Sequence, residues 1–225
     1  MNTLIFLQPY LLTLLEGALI TLEVSISSFA IGLVIALFMA PLSIYGPHYV
    51  RFLIKIYVDT FRGLPELLII FFFYYGGTVL LTNISGSYFE VSALAAGICA
   101  LAIVASAYLT EILRAALLSL DKGQWEASYA YGFSQIQIFR LIVLPQAIRR
   151  AAPGMANQWL VSLKESALVS VIGLEELMRV TVVAAGSTQQ HLLFYVVAAV
   201  FYLFISYVSQ VIINRMQLGS QLGRG

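Results

Sequence analysis

The sequence predicts an all-α integral membrane protein with five transmembrane helices and short cytoplasmic helices between two of them. The first observation is composition: of the 225 residues, 60% are hydrophobic and only 10% are charged, whereas soluble domains are about a quarter charged. The second is a set of long runs without Asp, Glu, Lys or Arg, because about 20 apolar residues are enough for a helix to cross a bilayer. These runs are residues 24–47, 67–89, 91–110 and 180–214.

These runs, with one further segment that is less apolar, predict a single transmembrane domain over residues 1–225. The further segment holds Lys164 and Glu165 near its midpoint. Residues 3–20 have a polar-interrupted pattern that predicts a separate short helix at the membrane interface. We expect spans at about 21–44, 52–80, 91–118, 147–174 and 190–214, and a cytoplasmic region at 119–146.

The positions of Lys and Arg predict the orientation in the membrane. Arg51 and Lys55 flank the first connection, most of the other basic residues surround region 119–146 or lie in the tail, and only Arg179 falls on the opposite side. Connections rich in Lys and Arg stay in the cytoplasm. We therefore expect an external N-terminus and a cytoplasmic C-terminus, as in a multi-pass protein of a bacterial cytoplasmic membrane.

Few residues could hold a metal ion or a redox group. Cys99 is the single cysteine, and His48 and His191 fall near opposite membrane faces in this topology. We therefore expect no disulfide, no metal site and no cofactor bound by this chain. The net charge of +1 favours no particular class of soluble partner, and no nucleic-acid partner is expected.

The connection at 119–146 has the pattern of folded helices. Asp121 is a candidate cap for a first helix, with Gln124 as its reciprocal partner, and Gly132 is suited to the left-handed position that ends it. Trp125 and Tyr129 lie one turn apart and form an aromatic face. This helix could insert into a groove of a partner, or it could simply pack under its own helical bundle.

A second helix is predicted to follow at once. Ser134 and Gln137 repeat the capping pattern. We expect this helix to end at about Val143, because Pro145 disfavours a helical conformation at Leu144.

The residue order in this connection matches a known signature. Its fixed positions are Glu126, Ala127, Ser128, Gly132, Ile142, Leu144 and Pro145. They resemble the E-A-A-x3-G-x9-I-x-L-P signature of ATP-binding-cassette importer permeases, with Ser128 in place of the second alanine. The resemblance implies the fold of a type I importer permease.

Other segments are similar to the permeases of polar amino acid uptake systems for histidine, glutamine and arginine. The similar segments are "FRGLPELL", "YLTEILRAAL" and "LPQAIRRAAPGMANQWLVSLKESALVSVIG". "GQWEAS", "NQWLVSLKESALVS" and "RGLPE" are most similar to arginine-type permeases. The chain departs from the family at Ala115, usually glycine, and at Leu64 and Glu66, so substrate specificity does not transfer directly.

The resemblance implies both a mechanism and partners. In that family the signature helix docks on a cytoplasmic ATPase and passes its motion to the membrane helices. The resemblance therefore implies that residues 119–146 couple the ATPase to the membrane domain, and we call them the coupling region. The expected partners are a second permease chain, identical or homologous, two ATP-binding subunits that bind ATP and Mg²⁺, and an external amino-acid-binding protein. The chain itself lacks a G-x-x-x-x-G-K-[ST] phosphate-binding loop, so ATP hydrolysis is expected elsewhere.

Four charges in the predicted spans require compensation. Arg62, Glu66, Lys164 and Glu165 would together cost about 10–14 kcal/mol if all were central and unpaired. Arg62 and Glu66 lie at i and i+4 and could pair, but adjacent helical residues such as Lys164 and Glu165 point about 100° apart. Their partners could be charges of the second span, the polar residues Asn157, Gln158 and Ser166, water, or a passing amino acid.

"RGLPE" indicates an irregular second span. Pro65 removes a backbone donor and Gly63 loosens the preceding turn, so we expect a kinked or broken helix. Half-helix ends at membrane depth receive substrate groups in transporters, although a kink could also serve only to shape the bundle. We therefore place Arg62, Gly63, Pro65, Glu66, Lys164 and Glu165 on a candidate substrate path.

These observations predict a permease subunit of an ATP-driven amino acid importer, for basic or polar amino acids such as arginine, that forms half of the translocation path. An ion-gradient-driven secondary transporter of small polar solutes also fits the membrane charges, but leaves the signature without a function. An enzyme is less consistent with the sequence, because no nucleophile–base arrangement is evident. We assign no catalytic residue.

Overall fold

A computed structural model describes residues 3–221, and within that range the chain is almost entirely helical. Two π-helical turns, Phe72–Gly76 and Phe139–Val143, and a 3-10 helix, Ser166–Ile172, link some of the α-helices. The α-helices are α1 Thr3–Tyr45, α2 His48–Gly63, α3 Glu66–Phe71, α4 Gly77–Ser85, α5 Ala93–Leu118, α6 Lys122–Ala130, α7 Gln135–Ile138, α8 Leu144–Glu165, α9 Leu177–Thr188 and α10 His191–Gln221.

Helix α5 forms the centre of the bundle. It packs against α1, α2, α3 and α8, and its buried face is rich in alanine, which lets neighbouring backbones come close. At Gly97 a Cβ atom would lie only 2.5 Å from Val169 Cγ1. A side chain at this position would therefore push the 3-10 helix away from α5.

The apolar helices agree only in part with the predicted spans. Within residues 3–221, four helical stretches are long and apolar enough to cross a membrane: Leu7–Tyr45, Glu66–Ser85, Ala93–Leu118 and His191–Arg215. The second stretch begins at Glu66, after the break at Pro65. The predicted span at 52–80 starts earlier, inside helix α2, which carries several charged residues. The predicted span at 147–174 falls on α8 and the 3-10 helix, whose Arg149, Arg150, Lys164 and Glu165 lower its hydropathy.

The separate interfacial helix predicted over residues 3–20 is wrong. Helix α1 runs without a break for 43 residues, about 65 Å at 1.5 Å per residue, which is longer than the hydrocarbon core of about 30 Å. The polar residues interrupt the hydropathy pattern but not the helix, because Thr13 and Thr21 donate their hydroxyl hydrogens to carbonyls of α1 itself. Pro9 is also close enough to the helix start to be tolerated.

A buried carboxylate joins α1, α9 and α10. Glu176 is 0% exposed and caps α9 by accepting a hydrogen bond from the Arg179 backbone N–H at 2.8 Å. It also accepts from Tyr202 Oη at 3.1 Å, and Thr21 Oγ1 lies 3.1 Å away with its single hydroxyl hydrogen shared between Glu176 and the Gly17 carbonyl. Neither Glu176 nor this network was singled out from the sequence, where the only signal is an acidic residue before an apolar helix.

We predict that Glu176→Ala destabilises the protein by about 2–3 kcal/mol, because it leaves the Tyr202 hydroxyl and the Arg179 N–H without their acceptor and removes the group that joins three helices. The apparent melting temperature of the purified protein should fall by several degrees. Glu175→Ala is the matched control, since Glu175 is exposed and should have little effect. An equal effect of both substitutions would contradict this role.

Candidate functional site: membrane charges and coupling region

The second membrane segment is broken where the sequence predicts it. After α2 ends at Gly63, Leu64 and Pro65 are extended, with ψ of 144° and 131°, and α3 begins at Glu66. A Cβ atom on Gly63 would meet nothing within 4 Å. The break predicted from "RGLPE" is therefore confirmed, and it faces open space in the isolated chain.

Arg62 and Glu66 do not pair, so this alternative for the membrane charges is wrong. Among the side chains described, the only ion pair joins Glu111 and Arg114. The Arg62 guanidinium carbon lies 5.3 Å from the centre of the Tyr108 ring, a cation–π contact with α5. The pair fails because the break at Pro65 removes the helical i to i+4 geometry on which it depended.

Glu66 and Glu165 are brought together from distant parts of the sequence. Helix α3 packs against the 3-10 helix that follows α8, and the two carboxyl groups lie within electrostatic range of each other. Both are half-buried, whereas Lys164 is exposed. Two carboxylates within electrostatic range repel each other, and a cation between them would relieve that repulsion.

Three buried polar atoms near the membrane charges have no hydrogen-bond partner among the described residues: Thr110 Oγ1, Gln158 Nε2 and Ser162 Oγ. Ser166, another candidate partner for the charges, donates instead to the Leu163 carbonyl at 2.7 Å. The orphaned groups lie on α5 and α8, which pack against each other. They leave hydrogen-bonding capacity available beside the candidate path.

Glu111 and Arg114 form a two-point pair on α5. Arg114 Nη2 lies 2.6 Å from Glu111 Oε1, and Arg114 Nε lies 2.9 Å from Glu111 Oε2. The two carboxylate oxygens and the planar guanidinium fit each other in this geometry. The charges therefore satisfy each other near the predicted cytoplasmic end of the span.

The first coupling helix, α6, has the predicted start and end. Asp121 caps it by accepting from the Gly123 N–H at 2.9 Å, and Gly132 has φ +81° in the turn after it. The reciprocal role predicted for Gln124 is wrong, since its amide oxygen accepts from Gln146 Nε2 at 3.4 Å. That contact reaches α8, which a local capping rule does not take into account.

One side of α6 packs on its own chain and the other side is open. Trp125 packs on the Tyr45 ring with centroids 5.8 Å apart, and the Ser128 hydroxyl donates to the Gln124 carbonyl at 2.5 Å. Glu126 and Ala127 are exposed. The helix thus uses its indole for internal packing and leaves the first two signature residues free for a partner.

The second coupling helix starts as predicted but does not end as predicted. Ser134 and Gln137 form a capping box. Leu144 is helical, with φ −60° and ψ −46°, and Pro145 lies in the first turn of α8. The predicted end at Val143 is wrong, because the π-helical turn Phe139–Val143 widens the backbone at the point where proline lacks a donor.

As a result, the helical rod from Gln135 to Glu165 is continuous. At 1.5 Å per residue it is about 45 Å long. It carries Leu144 and Pro145 of the signature in one half and Lys164 and Glu165 at the other end. The coupling region and the membrane charges therefore lie on one continuous element.

Comparison with known proteins identifies the family. Residues 32–217 match the family described as "Binding-protein-dependent transport system inner membrane component". The chain is 40% identical over 215 residues to the octopine transport system permease protein OccQ of Rhizobium radiobacter, covering 93% of this chain and 91% of that protein. It is 37% identical over 211 residues to the arginine ABC transporter permease protein ArtQ of Haemophilus influenzae, covering 94% and 95% respectively.

A solved structure described as an amino acid ABC transporter with histidines has the same fold. The TM-score is 0.84 at 28% sequence identity, and the match covers 96% of this chain and 98% of that chain. The chain belongs to the binding-protein-dependent transport system inner membrane component family. It is a non-catalytic, multi-pass permease subunit of an ATP-driven importer, and the ATPase is a separate subunit; an ion-gradient-driven transporter is not favoured.

Arg150 ties the two ends of the coupling region together. Its Nη1 group donates to the carbonyl and the hydroxyl of Ser119, which follows α5. We predict that Arg150→Gln lowers the apparent melting temperature by about 2–4 °C, equivalent to about 1 kcal/mol. Arg149→Gln is the control, because Arg149 makes no hydrogen bond among the described residues; equal shifts for the two variants would contradict the prediction.

Proposed function

We propose that this chain is the permease subunit of an importer for amino acids with a basic side chain, such as arginine, and that it forms half of the translocation path. The observation that carries the proposal is the packing of α3, which begins at Glu66, on the 3-10 helix that follows Glu165, beside the break in the second membrane segment. The two carboxylates offer negative charge to a guanidinium or ammonium group. The relatives named as octopine and arginine permeases support the same substrate class.

Arg62, Gly63 and Pro65 complete the candidate path on this side of the break. All three are exposed in the single chain, where an extended backbone and an open glycine leave room for a solute. Lys164, exposed beside Glu165, offers a positive charge for the carboxylate of an amino acid. One chain therefore presents groups of both signs on a surface that it does not itself enclose.

A complete path needs a second permease chain on this surface, either identical or homologous. Two cytoplasmic ATP-binding subunits that carry ATP and Mg²⁺, and an external amino-acid-binding protein, complete the proposed assembly. The excess of Lys and Arg around region 119–146 places that region in the cytoplasm and the N-terminus outside. In the single domain proposed over residues 1–225, α8 is then the fourth of five spans.

The signature residues form the docking surface for the ATPase. Glu126 and Ala127 are exposed, Ser128 holds α6 together internally, and Gly132 makes the sharp turn. Motion of α6 and α7 then reaches Glu165 through Leu144, Pro145 and the rest of the continuous rod. The rod contains no extended residue that would absorb the displacement.

We predict that Gly132→Ala impairs coupling, because φ +81° costs a residue with a Cβ atom about 1–2 kcal/mol. Co-purification of the ATPase subunits and ATP-driven uptake into proteoliposomes should both fall. Gly186→Ala is the control: a Cβ atom there meets nothing within 4 Å and its φ is not positive.

We also predict that Glu126→Ala weakens ATPase binding without changing the melting temperature. If ATP-driven uptake is unaffected in both the Gly132 and the Glu126 variants, the assignment of this region to ATPase coupling is excluded.

We predict that Glu165→Gln lowers the uptake efficiency for arginine about tenfold, equivalent to about 1.4 kcal/mol, and that of glutamine less than twofold. The physical reason is that one of the two carboxylates facing a cationic side chain is lost. Initial uptake rates should be measured at saturating binding protein, with Glu175→Gln as the control. Equal losses for the two amino acids would instead indicate a purely structural charge.

A further inference from the structure

A charged cavity lies on the cytoplasmic side of the break in the second membrane segment. It has a volume of about 570 Å³ and is bounded by the end of α1, by α2 and by α5. This volume is within the range of small-molecule sites, about 300–1,000 Å³. Its charged wall contains Arg51, Lys55, Asp59, Arg62, Glu111 and Arg114.

Some of these charges are already engaged. Glu111 and Arg114 bind each other, and Arg62 lies over the Tyr108 ring. Lys55 and Asp59 are one turn apart on α2, yet neither forms a hydrogen bond or an ion pair with another described residue. The cavity therefore presents the Lys55 ammonium group and the Asp59 carboxylate one turn apart, with the Arg51 guanidinium in the same wall and Arg114 within electrostatic range of Asp59.

An unpartnered hydroxyl group lies in the same wall. Thr110 is 1% exposed, lines the cavity, and its Oγ1 has no hydrogen-bond partner in the described part of the chain. Threonines elsewhere in this fold, such as Thr21 and Thr181, donate to the carbonyl four residues earlier. A buried hydroxyl that forgoes this bond points to a polar ligand atom in the cavity.

We propose that this cavity is a second, cytoplasmic binding site for the backbone groups of the transported amino acid. Lys55 binds the α-carboxylate, Asp59 binds the α-ammonium group, and Thr110 donates or accepts a hydrogen bond. The inference rests on the proposed function for the identity of the ligand. It differs from the Glu66–Glu165 site, which recognises the cationic side chain.

The mixture of signs in the wall favours a zwitterion over a simple anion. A phosphate or a lipid phosphate group would gain from Lys55 and Arg51 but would be repelled by the free carboxylate of Asp59. An α-amino acid can bind Lys55 through its carboxylate and Asp59 through its ammonium group at the same time. Since α2 leads from the predicted cytoplasmic face to the break, the site is placed to hold the solute after it has passed Glu66.

The test is equilibrium binding of radiolabelled arginine to the intact transporter in nanodiscs, without the binding protein. We expect two classes of site. Lys55→Gln, Asp59→Asn and Thr110→Val should each weaken one class about five- to twentyfold and leave the class sensitive to Glu165→Gln unchanged. Arg140→Gln is the control, since Arg140 is exposed near the coupling region but does not line the cavity.

Ligand analogues test the recognition chemistry. Agmatine, which lacks the carboxylate, and N-acetylarginine, which lacks the ammonium group, should compete poorly at the cavity site. If inorganic phosphate competes as strongly as arginine, the cavity is a general anion site and the proposal is overturned. Unchanged arginine binding in all three cavity variants would also overturn it.

ATP-driven uptake separates this inference from the proposed function. The three cavity variants should keep the wild-type melting temperature and still co-purify with the ATPase subunits, which would show that they fold and assemble. If the wild-type transporter imports no basic amino acid, the proposed function fails. If it does so and binds arginine at a single class of site, only the cavity proposal fails.

Discussion

The cost of charge at membrane depth is the constraint on which the rest of this structure depends. Each charged residue near the centre of a span costs about 2.5–3.5 kcal/mol, so such residues are confined to the positions where the fold can give them polar surroundings. Here they gather around the break after α2 and at the end of α8. Elsewhere the charges are satisfied within the chain, as in the Glu111–Arg114 pair on α5 and the hydrogen bonds of Glu176.

In the proposed mechanism the coupling region acts on the charges around the break through one continuous helical element. The π-helical turn before Leu144 accommodates Pro145 without ending the helix, so the rod from α7 through α8 keeps its length. On the far side of the bundle, Glu176 joins α1, α9 and α10 through hydrogen bonds. In the proposed mechanism, the frame held by buried hydrogen bonds stays in place while a cytoplasmic motion is passed along the rod to Glu165.

Local rules predicted local features. The break at Pro65, the left-handed turn at Gly132 and the capping box of Ser134 and Gln137 all depend on residues within one turn of each other, and all are present. The same rules failed at two positions. Gln124 turns to α8 instead of its own helix start, and Leu144 stays helical because the preceding turn changes its hydrogen-bond pattern.

By itself the sequence determined the membrane class, most of the apolar spans, the family signature and the presence of unmatched charges, because hydropathy and residue order are properties of the chain alone. Only the tertiary structure decided which charges meet. It separates Arg62 from Glu66, packs the helix that begins at Glu66 on the 3-10 helix that follows Glu165, and buries Thr110 in the wall of a cavity. These outcomes depend on how helices pack, and packing brings together groups whose separation along the chain carries no signal.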